Sequence, residues 1–169
     1  MSPKDKGRVG RPSEGVGERQ LGKLLESLGI FSEHIEGNGL PDRYIGRGRW
    51  IECKAFVFTR KDYWGRPTKL HTLLRGSQKR KIPKLIANGD QIFVCVFVHT
   101  EDEPTRFMII PYERFLNINE RQVDKESMPW RLSNPKVIEY VRTVLAHPDD
   151  RGNVSAKTIT VTGLQDESL

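Results

Sequence analysis

The sequence predicts an α/β fold, and three observations carry that prediction. Leu21, Leu24, Leu25 and Leu28 recur at helical spacing before Gly29, a residue placed where a helix ends in a left-handed turn. Short β-prone segments at 30–36, 43–45 and 50–58 follow, divided by Gly37-Asn38-Gly39 and Gly46-Arg47-Gly48. Residues 92–99 then form an almost unbroken apolar run, the mark of a strand buried on both faces.

Each element has its own local reason. The amphipathic helix is expected from Gly17. The three short segments are expected to meander as antiparallel strands. Residues 59–71 are polar, contain Gly65 and Pro67, and are expected as an inserted loop. A second helix is expected from Leu73 to Asn88, kinked or split at Pro83, whose ring nitrogen cannot donate to residue 79. Arg106 to Ile110 is expected to pair antiparallel with the 92–99 strand across the acidic turn at 101–104. A last helix is expected from Pro135 to Ala146, capped by Asn134 or Ser133, with proline tolerated in its first turn. Thr158 to Val161 hints at a further strand.

At 169 residues the chain has room for one ordinary domain and its tails. Residues 1–15, rich in Gly, Pro, Ser and basic side chains, are expected to be a flexible arm; residues 16–147 the folded domain; residues 148–169 a polar tail. No apolar run approaches the roughly 20 residues that span a bilayer, and the first residues lack the apolar stretch of a signal peptide. A soluble, intracellular protein is expected. Cys53 and Cys95 each sit inside an apolar run without metal-ligand spacing and are expected as buried thiols. His34, His71, His99 and His147 are scattered, and none is assigned to catalysis. Trp50 and Trp130 are expected at the core or its edge.

The chemistry-bearing pattern is Pro41-Asp42, nine residues, then Glu52-Cys53-Lys54. Side chains alternate along a strand, so Glu52 and Lys54 share one face while Cys53 points to the other. If the 46–48 turn reverses the chain, Asp42 lies on the neighbouring strand, within reach of a cation shared with Glu52. Hard carboxylate oxygens hold Mg²⁺ near-octahedrally and leave positions for water and a phosphate oxygen. Lys54 beside them can orient or help deprotonate the attacking water and offset transition-state charge. A solvated hairpin face would be the bland reading of so short a pattern. The flanking apolar residues of WIECKAFVF argue instead for burial, and buried charge is costly unless paired or ligating metal. Glu18 shares the apolar face of the first helix with Leu21 and Leu25, where its carboxylate either reaches the metal site or simply favours the helix N-terminus. Gln78 shares a helix face with Ile82 and Leu85, which would turn its amide toward the sheet.

The segments GERQLGKLLESLG, GLPDRYIG, RWIECKAF and SQKRKIPKLIANGDQIFVCVFV, in that order, resemble the PD-(D/E)XK nuclease superfamily. Within it they are most similar to VRR-NUC nucleases and archaeal-type Holliday junction resolvases over residues 17–99. The resemblance implies a restriction-endonuclease-like αβββαβ core, with a central mixed sheet flanked by helices, and Mg²⁺ or Mn²⁺ as cofactor. It implies a site of Glu18, Asp42, Glu52, Lys54 and Gln78, with the Cys53 backbone carbonyl completing the coordination. The long 59–71 loop and Pro83 depart from the compact members of the family.

DNA is the expected partner. The sequence pI is near 9.4, and Arg60, Lys61, Arg66, Lys69, Arg75, Lys79, Arg80, Lys81 and Lys84 crowd one stretch opposed only by Asp62. Their excess is larger than the +6 of the whole chain, so the positive charge is concentrated there. Tyr63 and Trp64 within the loop either stack on an unpaired base or cover the core edge. Arg8-Val9-Gly10-Arg11-Pro12 resembles an AT-hook core interrupted by Val9; a plain basic arm would equally add sequence-independent affinity. The expectation is therefore a metal-dependent DNA endonuclease specific for branched or junction DNA. The alternatives are a site-specific homing or restriction-type enzyme and a non-catalytic DNA-binding module on the same fold. Cutting two strands calls for two sites, hence a homodimer.

Overall fold

The computed structural model describes residues 10–58 and 67–147. Arg8, Arg60, Lys61, Tyr63, Trp64, Arg66 and the strand suggested at Thr158 to Val161 lie outside the described residues, as does the side chain of Arg11.

The elements run α1 (Gly10–Ser27), β1 (Glu33–His34), β2 (Arg43–Tyr44), β3 (Arg49–Phe58), a 3₁₀ turn (Leu70–Leu73), α2 (Gly76–Ala87), β4 (Gln91–Thr100), β5 (Arg106–Pro111), α3 (Tyr112–Phe115), α4 (Glu120–Glu126), β6 (Met128–Pro129) and α5 (Pro135–Leu145). The six strands lie side by side in chain order in one mixed sheet. All neighbours are antiparallel except β3 and β4, which run parallel with Glu52 opposite Val94 and Lys54 opposite Val96. Parallel neighbours need a crossover, and α2 supplies it. The chain is thus an α/β protein with helices flanking a six-stranded mixed sheet. Among the described residues no helix is long and apolar enough to cross a membrane.

β4 organises the interior, because its side chains are buried on both faces. Cys95 and Phe97 join Leu21, Leu24 and Leu25 of α1 and Val137 and Val141 of α5 in one core layer. Val94, Val96 and Val98 join Ile82 of α2 and Phe115 of α3 in the other. Full burial of a Val or Phe side chain contributes about 1.5–3 kcal/mol, so a strand that fills both layers dominates the packing. Trp130 packs edge-on against Phe97 and Phe107 at 5.4 and 4.7 Å, and its indole N–H donates to Gln20 Oε1 at 2.7 Å. Arg49, only 8% exposed, donates from Nη1 to the Leu145 carbonyl at 2.5 Å, a cation on the last turn of α5 that ties this helix to the sheet.

Several expectations need correction. The first helix begins at Gly10 rather than Gly17, so residues 10–15 belong to α1 and not to an arm. Pro12 is tolerated in a first turn, and Glu14 is tied to β3, an interaction that glycine-rich composition conceals. Pro83 does not split α2, which runs as one helix from Gly76 to Ala87. Pro83 and Lys79 are both exposed, so the interruption lies on the solvent side of the helix. The first expected strand shrinks to the two exposed residues of β1. The helices α3 and α4 and the short β6 have no counterpart in the expectations.

Gly17 marks how closely α1 lies on the sheet. A Cβ there would stand 2.4 Å from the Phe97 ring, a distance the buried ring cannot relieve without displacing α1 or its neighbours. Gly17→Ala is expected to destabilise the fold by about 1–3 kcal/mol, against the usual gain of alanine over glycine in a helix. Chemical denaturation of the two proteins checks this, and an unchanged or higher midpoint would contradict the packing described.

Candidate metal centre

The site is built around the edge of β3. β2 covers that edge only as far as Arg43 and Tyr44, which pair with Ile51 and Trp50. Beyond them the outward main-chain N–H groups need other acceptors. Asp42 Oδ2 takes the Cys53 N–H at 2.8 Å, and Glu14 Oε1 takes the Ala55 N–H at 3.1 Å. Asp42 is brought there by the loop before it. Gly39 adopts φ +83°, and a Cβ on it would lie 2.7 Å from the Ser77 carbonyl, so the loop rests directly on the first turn of α2. The Lys81 ammonium donates to the Asn38 carbonyl across the same contact.

Alternation along β3 turns Glu52 and Lys54 toward the α2 layer and Cys53 toward the α1 layer. Glu52 and Lys54 are 2% and 3% exposed, so both sequence-predicted charges are buried. Gln78, also buried, completes the arrangement from α2. Its Oε1 accepts the Arg75 main-chain N–H at 3.0 Å, which fixes the amide so that Nε2 donates to Glu52 Oε1 at 2.8 Å. Lys54 Nζ stands 3.5 Å from the same Oε1, an ion pair longer than a good hydrogen bond. Glu52 Oε2 is buried and receives no donor, and the carboxyl next to Glu52 is that of Asp42, with which it can share a proton.

Electrostatics follow from this burial. Loss of water pushes the Glu52 carboxyl up to about 8; Asp42 beside it adds to the rise, and Lys54 and Gln78 oppose it. Asp42 is raised for the same first reason, burial, against the pull of the Cys53 N–H and Lys54. The Cys53 thiol is pushed up by its hydrogen bond with Cys95 and by burial, and it lies in the core layer on the opposite face of β3 from Glu52 and Lys54.

Glu18 is buried on α1 as expected, and its charge is felt at Asp42, but its Oε1 is engaged by Arg43 Nη1 at 2.7 Å and His34 Nδ1 at 2.9 Å. Asp42, Glu52, Lys54 and Gln78 therefore come together, while Glu18 stands beside them tied to other partners. The reading of the sequence missed Glu14. The four-residue step from Glu14 to Glu18 puts both on one helix face, a signal lost when residues 1–15 are treated as an arm.

Asp42 and Glu52 fit a hard divalent cation: Asp42 stands in the loop just before β2 rather than on the neighbouring strand the sequence suggested, Glu52 stands on β3, and one Glu52 oxygen is buried without a donor. Among the described residues no three Asp, Glu, His or Cys side chains converge as a metal group by themselves, so main-chain carbonyl and water would have to complete the shell. The solvent side of α2 is basic. Arg75, Lys79, Arg80, Lys81 and Lys84 are all exposed, and Lys69 is exposed just before the 3₁₀ turn.

The raised Glu52 carboxyl makes stability pH-dependent. A carboxyl whose folded pKa of about 8 exceeds its unfolded value near 4.5 stabilises the fold while protonated, fully below pH 4.5 and progressively less up to pH 8. Asp42, also raised, adds in the same direction. In EDTA the melting temperature is expected to fall between pH 5 and pH 9, and Glu52→Gln should flatten most of that slope. Thermal melts followed by circular dichroism check it; parallel slopes in the two proteins would contradict the burial. No protein-family model, curated protein or solved structure matches this chain.

Proposed function

We propose that this chain is a divalent-metal-dependent DNA endonuclease of the PD-(D/E)XK type with a restriction-endonuclease-like core, cutting branched or junction DNA as a homodimer. The observation that carries this reading is Glu52: a buried carboxyl with one oxygen held by Gln78 and Lys54, the other receiving no donor, and a second carboxyl, that of Asp42, beside it. An acid so placed costs stability when ionised, and a cation is the natural compensation. Its neighbours are those that phosphodiester hydrolysis needs.

Asp42 and Glu52 would hold Mg²⁺ or Mn²⁺ together with the Cys53 carbonyl. When bound, the ion supplies Lewis-acid polarisation of the phosphate and a more acidic water. Lys54 places an ammonium where negative charge grows as phosphorus becomes pentacovalent, and in the buried site that charge acts with little screening. Gln78 fixes the Glu52 headgroup, so the open oxygen stays in one orientation rather than rotating between two. Asp42 is fixed in turn by the Cys53 N–H. The exposed cations of α2 supply sequence-independent phosphate contacts next to the centre, which suits recognition of DNA shape.

Purified protein incubated with branched, nicked, single-stranded and duplex DNA tests the proposal. Cleavage of the branched substrate is expected in Mg²⁺ and none in EDTA. Lys54→Ala should slow cleavage by about 10²–10³-fold, and Gln78→Ala by about 10–100-fold. Asp42→Ala and Glu52→Ala should abolish it. Wild-type rates in Asp42→Ala or Lys54→Ala would remove these residues from the site, and binding without cutting in any metal would make the chain a DNA-binding module instead.

A further inference from the structure

Glu14 is a half-buried acid to which the proposed mechanism gives no role. It lies one turn before Glu18 on α1, and its Oε1 caps the Ala55 N–H immediately after Lys54. Its charge is felt by Lys54 and Asp42, with Arg75 as a further cation. Glu18, by contrast, is matched by the Arg43 guanidinium at 2.7 Å and also meets His34.

The charges therefore do not balance. Asp42, Glu52 and Glu14 act on one buried ammonium, that of Lys54, so full ionisation would leave an excess of two negative charges, and burial holds all three carboxyls above their ordinary range. Arg75 is exposed at the start of α2, where water screens it. An excess of two is the charge of one divalent ion. Glu52 Oε2, buried without a donor and with another carboxyl beside it, independently marks where an electropositive partner would fit.

We propose that Glu14, and not Glu18, is the helix carboxylate that serves this centre, as a positioning residue that holds Lys54 and strengthens the site's attraction for a divalent cation. The inference rests on the function proposed above and changes which residue of α1 matters to it. Glu14 acts through its charge and through its bond to the Ala55 N–H of β3 rather than as a direct ligand. Glu18 holds α1 to β2 by way of Arg43 and has a structural role.

The full chain carrying Glu14→Gln or Glu18→Gln separates the two roles. Glutamine keeps an oxygen for the Ala55 N–H and removes only the charge. For Glu14→Gln, the Mg²⁺ concentration giving half-maximal cleavage should rise about 10-fold or more, and the rise in melting temperature on adding Mg²⁺ or Mn²⁺ without DNA should shrink. Its metal-free melting temperature should stay within a few degrees of wild type. Glu14→Asp, which keeps the charge, should fall between the two. Glu18→Gln should lower the metal-free melting temperature and leave the Mg²⁺ requirement unchanged. A wild-type Mg²⁺ midpoint in Glu14→Gln, or a shifted midpoint in Glu18→Gln alone, would overturn the assignment while leaving the nuclease reading intact. A wild-type protein that neither cleaves DNA nor gains stability from either metal would overturn both.

Discussion

The buried carboxylate of Glu52 is the constraint around which the rest of the molecule is arranged. An acid in the interior of a sheet must be neutralised, hydrogen-bonded or matched by a cation. Here it is partly matched. Gln78 and Lys54 both address Oε1, while Oε2 receives no donor and the carboxyl, with Asp42 beside it, is pushed up to about 8. A chain selected only for stability would gain by placing an apolar side chain there, because an incompletely satisfied buried network is costlier than none. That tension between stability and charge is common where binding or chemistry takes place.

The other acids are held by a requirement of the backbone. β2 is too short to cover the edge of β3, and the N–H groups of Cys53 and Ala55 that it leaves unpaired are taken by side-chain carboxylates rather than by another strand. The same bonds that satisfy the edge bring Asp42 and Glu14 beside Lys54. The short strand is therefore what lets residues from three separate segments, the start of α1, the loop before β2 and β3 itself, approach one another. A longer β2 would satisfy the edge and exclude them.

The two faces of α2 divide the work the proposed function requires. The buried face sends Gln78 to the carboxylate, and the exposed face carries cations for a polyanion. The loop bearing Asp42 rests on the first turn of this helix, at Gly39 against Ser77. One rigid crossover between parallel strands thus sets the position of Gln78, of Asp42 and of the basic surface together.

The sequence alone determined the elements whose signal is local. The leucine spacing of α1, the apolar run of β4, the Asn134 cap and Pro135 at the start of α5, and the shared face of Glu52 and Lys54 all follow from periodicity and from the stereochemistry of single residues. Only the tertiary structure decided the start of α1, the unbroken path of α2 through Pro83, and the partners of the two α1 glutamates. Each depends on a contact far along the chain: Gly17 on Phe97, Glu14 on Ala55, Glu18 on Arg43. Four residues apart on one helix face, Glu14 and Glu18 are alike in spacing and chemistry. They become different only when one meets an unpaired N–H and the other a guanidinium, because the energy of a buried charge is set by what surrounds it and not by where it stands in the chain.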